Sequence, residues 1–127
     1  MTAMAKGKES NKEKGDDGEN LAAGYLEKLG YTILERQWKY ERFEIDLIAE
    51  KDKTIVFVEV KTRFSNTYGE PWEAVNQAKR KKICASADAY IQQYDINHEP
   101  RFDIVSIIKS DKEFRIEHLE EAFWPMA

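Results

Sequence analysis

Cysteine, histidine and proline are all scarce in this chain of 127 residues: one Cys, two His and three Pro. The single thiol, Cys84, cannot form an internal disulfide, which fits a reducing cytoplasm. His98 and His118 have no ligand spacing with each other or with Cys84, which argues against a zinc site. No apolar run approaches the length of a bilayer span, and residues 1–14 lack the apolar segment of a signal peptide, so no membrane partner is expected. An excess of positive charge is missing too. The formal net charge is −4, from 20 basic and 24 acidic residues, which argues against a protein that coats nucleic acid by bulk electrostatics. A local basic groove beside an acidic centre is compatible with that balance. With 42% hydrophobic residues, the length suits one globular domain with a proper core.

What the chain does have is centred on Ile55-Val56-Phe57-Val58-Glu59-Val60-Lys61-Thr62-Arg63. It opens as the β-branched and aromatic run of a buried strand, then places an acid and a base where apolar residues belong. Alternation puts Glu59 and Lys61 on the face of Ile55 and Phe57, with Val56, Val58 and Val60 on the other. A carboxylate so far inside a strand is costly unless it is paired, hydrogen-bonded or metal-bound. The candidate partner is Asp46, in the second strand-like run Phe43-Glu44-Ile45-Asp46-Leu47-Ile48-Ala49. A tight hairpin folded about Asp52 sets position 46 opposite about position 58, within one residue of Glu59, so Asp46, Glu59 and Lys61 converge at one end of the hairpin.

In chain order, residues 1–17 read as a disordered N-terminal arm and residues 18–127 as a single domain. A helix over Gly18 to Leu29 carries Leu21, Tyr25 and Leu29 on one face and stops at Gly30. Strands follow over 31–38, 43–50 and 53–62, then a loop over 63–71. Residues 72–94 turn helical, with Ile83, Ala87, Tyr90, Ile91 and Tyr94 on one stripe, and strands over 101–108 and 113–119 close the domain. The expected fold is α/β, order α-β-β-β-α-β-β, a mixed central sheet flanked by helices.

Four blocks then stand in order: Gly18-Glu19-Asn20-Leu21-Ala22-Ala23, Glu44-Ile45-Asp46-Leu47-Ile48-Ala49, Val56-Phe57-Val58-Glu59-Val60-Lys61-Thr62-Arg63 and Arg101-Phe102-Asp103. Together they resemble the PD-(D/E)xK nuclease superfamily with its restriction-endonuclease-like core, and more finely the YraN-like family of predicted endonucleases, similar to archaeal Holliday-junction resolvases. One departure is Phe43, where the family tends to carry a glycine able to host a bulge.

The resemblance implies a nuclease-like domain over 18–127 and a Mg²⁺- or Mn²⁺-dependent endonuclease acting on DNA, branched or otherwise distorted. It assigns Asp46 and Glu59 as metal ligands with the Val60 carbonyl, Lys61 as the stabiliser of developing charge, and Glu19 as an additional ligand. Gln77 and Lys81, spaced i,i+4, resemble a further motif facing the site, and Lys79 and Lys82 extend a basic face toward substrate. Resolution of a junction would need two sites, hence a homodimer. The plainer alternatives are an ion pair between Glu59 and Lys61, a first-turn helix acid at Glu19 and a solubilising basic face on the second helix. Glu44 reads as a solvated charge, Asp103 as a partner of Arg101 or a turn cap, and Trp38, Trp72 and Trp124 as packing residues. A nucleic-acid-binding or adaptor protein that keeps this fold without turnover is the competing function.

Overall fold

The computed structural model describes residues 2–8, 17–64 and 76–123. Its elements are β1 (Thr2–Lys8), α1 (Asp17–Lys28), β2 (Thr32–Tyr40), β3 (Phe43–Lys51), β4 (Thr54–Phe64), α2 (Gln77–Gln93), β5 (Glu99–Ser110) and β6 (Glu113–Leu119). One mixed sheet runs β1-β6-β5-β4-β3-β2. The β4–β5 pair is parallel and every other pair is antiparallel. From α1 onward the order is the expected α-β-β-β-α-β-β, consistent with a restriction-endonuclease-like core.

Residues 2–8 depart from the disordered-arm expectation. They form β1, antiparallel to β6 from Thr2↔Leu119 to Lys8↔Glu113. The cause is generic: without β1 the last strand would present a row of unpaired backbone groups, and an extended segment of almost any composition can satisfy them. Residues 9–16 of that arm, residues 65–75 of the expected loop and helix start, and both Trp72 and Trp124 lie outside the described residues.

Among the described residues, each face of the sheet carries one helix. α1 buries Ala22, Ala23, Tyr25 and Leu26 over Leu47, Ala49, Val56, Val58, Val105 and Ile107. It ends in a Schellman motif, with Gly30 at φ +97° and the Tyr31 N–H donating to the Leu26 carbonyl at 3.0 Å. On the other face α2 packs Ile83, Ala87 and Tyr90 over Ile45, Ile48, Ile55, Phe57, Phe102 and Ile104. The anticipated stripe is therefore its buried face, although Tyr94 at its end is 46% exposed. Asn76 caps α2, its side chain accepting from the Lys79 N–H at 2.9 Å. No helix among the described residues is long and apolar enough to cross a membrane.

A buried polar network ties α1 to the C-terminal strands. The Asp103 carboxylate accepts from Arg101 Nε at 2.9 Å and from its terminal nitrogen at 2.8 Å, and it caps the Glu121 N–H at 3.1 Å. Both expected roles of Asp103 are thus filled at once. His118 Nε2 lies 2.6 Å from the same carboxylate, and Nδ1 lies 3.1 Å from the Tyr25 hydroxyl. An ionised carboxylate only accepts, so Nε2 carries a proton and donates it to Asp103. These hydrogen bonds hold Asp103 below the ordinary carboxylate range against its burial, and burial pushes the Tyr25 hydroxyl up to about 12.

Candidate active site

The site forms where β3 parts from β4. The turn between them is Asp52–Lys53, both left-handed at φ 49° and 64°, and the ladder runs from Lys51↔Thr54 to Leu47↔Val58. That register is one residue from the expected one and would bring Asp46 opposite Glu59 rather than position 58. The ladder stops there. The Val60 N–H donates to Asp46 Oδ2 at 2.8 Å, so the carboxylate takes the place of a strand carbonyl. On the other side, Arg36↔Leu47 and Trp38↔Ile45 pair, but Gln37 between them sits at φ 51° and has no ladder partner. Ile45 and Ile48 accordingly pack on the same face, which strict alternation forbids, so β3 changes phase at Asp46. Phe43, where a glycine was expected to host a bulge, pairs regularly with Tyr40; the register shift between β2 and β3 falls between Ile33 and Glu35, and Gln37 and Asp46 are left out of a ladder that is otherwise in register.

The Asp46 carboxylate is electrostatically strained. Asp46 is raised to about 7, first by burial and then by the neighbouring Glu59, with a smaller contribution from Glu19; the Val60 N–H and Lys79 act the other way. Glu59 lies on the α2 face beside Phe57, as alternation requires, and its Oε1 accepts from Lys79 Nζ. Lys79 reaches it from the first turn of α2, so part of the basic cluster does face the site. The plain alternative for Glu59, a pair with Lys61, is not what forms. Lys61 is exposed and makes no ion pair among the described residues.

The other expected residues divide. Glu19 is positioned by a close approach: a Cβ at Gly18 would lie 2.1 Å from Thr62 Oγ1, so α1 starts hard against β4. Its carboxylate pairs with Arg36 at 3.0 Å, a partner the sequence did not suggest. Gln77, Lys81 and Lys82 are exposed on α2, while Arg80 packs over the Phe123 ring at 5.5 Å. Glu44 is exposed and pairs with Lys39 at 3.4 Å, a solvated charge as expected. Trp38 packs edge-on against Tyr90, in keeping with a packing role.

No group of three or more His, Cys, Asp or Glu side chains poised to hold a metal exists among the described residues. Two carboxylates are nonetheless a sufficient protein share for a hard cation such as Mg²⁺, which keeps waters and takes phosphate oxygens. Asp46 Oδ1 and Glu59 Oε2 make no hydrogen bond among the described residues, so each carboxylate keeps an oxygen free. Burial first, and the Glu59 carboxylate second, displace Asp46 upward, so a cation at this point would relieve both.

Residues 18–107 match the model of the uncharacterised protein family UPF0102. The chain belongs to this family. UPF0102 is the YraN-like, nuclease-like group, and the match spans α1 through most of β5, including every element of the site. A UPF0102 protein of Bacteroides thetaiotaomicron is 44% identical over 113 residues, 89% of this chain and 93% of the relative. A UPF0102 protein of Flavobacterium psychrophilum is 44% identical over 110 residues, 87% and 92% of the two chains. One from Prosthecochloris aestuarii is 44% identical over 117 residues, covering 87% and 92%.

Proposed function

We propose that this UPF0102 protein is a metal-dependent nuclease that hydrolyses phosphodiester bonds in DNA, acting on branched or otherwise distorted substrates in the cytoplasm. The observation that carries the reading is the change of phase in β3 at Asp46, which hydrogen-bonds that carboxylate to the Val60 N–H of β4 and sets two partly buried carboxylates against each other. A fold gains nothing in stability from that repulsion, and a carboxylate displaced as Asp46 is favours a functional role. When bound, a divalent cation held by Asp46, Glu59 and the Val60 carbonyl supplies Lewis acidity toward the scissile phosphate. Asp46 and Glu59 then act as oriented anions, the first fixed by the Val60 amide. Lys61, exposed and unpaired among the described residues, is free to meet the charge that develops on the phosphate. Lys79 pairs with Glu59, and a cation held by that carboxylate would leave the amine available to substrate.

The second reading, a nucleic-acid-binding or adaptor protein without turnover, is favoured by one observation. Glu19 and Glu59 already have Arg36 and Lys79 as counter-ions. A cleavage panel of branched, flapped, single-stranded and double-stranded DNA, with and without Mg²⁺ or Mn²⁺, separates the two. The nuclease reading expects metal-dependent cutting of at least one structured substrate, and binding with no cutting across the panel supports the adaptor.

A further inference from the structure

The β2–β3 hairpin and α2 enclose a cleft that the site described above does not use. Its volume is about 160 Å³, and it is lined by Tyr40, Glu41, Arg42, Phe43, Lys82 and the small pair Ala85 and Ser86. The local sequence explains the opening. Tyr40 pairs with Phe43, leaving Glu41 and Arg42 as a two-residue turn that projects past the sheet, and Ala85 and Ser86 keep the facing helix surface low.

Three properties of this cleft point the same way. Of its two aromatics, Tyr40 is exposed yet braced: it is 37% exposed, and its ring stacks on Trp38 at 6.4 Å and 4°. Trp38 in turn stands edge-on to buried Tyr90 at 5.1 Å, so the file runs from solvent into the core. Its cations are available, because Arg42 and Lys82 are exposed and neither has an ion pair among the described residues. They outnumber the single acid of the lining, Glu41. Both walls also lead directly to the candidate site. Phe43 is three residues from Asp46, roughly 10 Å along the strand, and Lys82 is about one turn from Lys79 on α2.

We propose that this cleft is a subsite for one unpaired nucleotide, with the base stacked on Tyr40 and the flanking phosphates on Arg42 and Lys82. The assignment rests on the nucleic-acid reading above and narrows it. A base inside a duplex already has both faces covered, and taking it out costs a few kcal/mol that a single strand or flap does not incur. The cleft therefore selects substrates with an unpaired nucleotide beside the bond to be cut. Aromatic stacking of this kind tolerates any base, and the two cations add affinity without sequence preference.

The test is fluorescence anisotropy of the full chain in calcium, on labelled single-stranded DNA, single-stranded RNA of the same sequence and blunt duplex. Tyr40→Leu should weaken single-strand binding roughly 5- to 150-fold, the range for losing one base stack, while duplex affinity stays within about twofold of wild type. Arg42→Ala and Lys82→Ala should each reduce the single-strand salt slope by about 0.7. A loss on either DNA or RNA supports the subsite and tells which sugar it accepts. Unchanged melting temperatures confirm that these exposed substitutions leave the fold intact. If wild type binds single strands and all three variants bind equally well, the subsite is wrong and the nuclease reading stands. An equal loss on duplex also overturns it. If wild type binds no nucleic acid at all, both fall together.

Discussion

Asp46→Asn should stabilise the metal-free protein, and the gain should depend on pH. Folding raises this carboxyl from 3.8 to about 7, so the native state holds the proton more tightly than the unfolded chain does. Its contribution is neutral below about pH 4, grows unfavourable as pH rises toward 7, and is constant above that. At 1.36 kcal/mol per pH unit the full displacement corresponds to roughly 4 kcal/mol. Asp46 keeps some contact with solvent and shares its repulsion with Glu59, so a gain of about 2 kcal/mol at pH 8 is the expected result. Asn retains an oxygen to accept from the Val60 N–H, which isolates the charge from the hydrogen bond. Urea unfolding in EDTA, followed by tryptophan fluorescence, reads the difference at pH 5 and pH 8. The gap should widen between the two, and saturating Mg²⁺ at pH 8 should close it by stabilising wild type alone. A gap that is the same at both pH values, or a variant less stable than wild type at pH 8, would refute the reasoning.

Two further outcomes follow from the packing. Gly18→Ala should cost about 1–3 kcal/mol by forcing α1 off Thr62, and adding Thr62→Ala should recover most of it in the same chemical denaturation assay. Asp103→Asn should cost roughly 3 kcal/mol at pH 7, because Arg101 and His118 lose a buried anion. Asp103 is held below its ordinary value, so its contribution is complete above about pH 4 and disappears as pH falls through the lowered native value. The penalty of the variant should therefore shrink in acid, and a penalty that grows there would contradict the network.

The strand run of residues 55–60 and its partner at 43–49 were legible because apolar alternation is a local property, and the same pattern exposed Glu59 as an intruder. The hairpin register was read one residue off. A Lys at φ 64° in the turn is not a residue whose type announces a left-handed conformation. The phase change at Asp46 was hidden for the same reason, since Gln37 carries no signal for φ 51°. Lys79 as the partner of Glu59 depends on how α2 docks, and no spacing within one element encodes that. His118 looked uninformative on its strand because its partner Tyr25 is 93 residues away.

The claim at the centre of this account is that Asp46, Glu59 and Lys61 act together on a phosphodiester. The most direct measurement is single-turnover cleavage of a flapped DNA in Mn²⁺ by wild type, Glu59→Gln and Lys61→Ala, with affinity for the same DNA measured in calcium. The account predicts that wild type cuts, that Lys61→Ala is slower by roughly 10²- to 10³-fold with nearly unchanged affinity, and that Glu59→Gln does not cut detectably. Wild type that binds the flap but never cuts it, or a Lys61→Ala variant that loses affinity in proportion to rate, would contradict it.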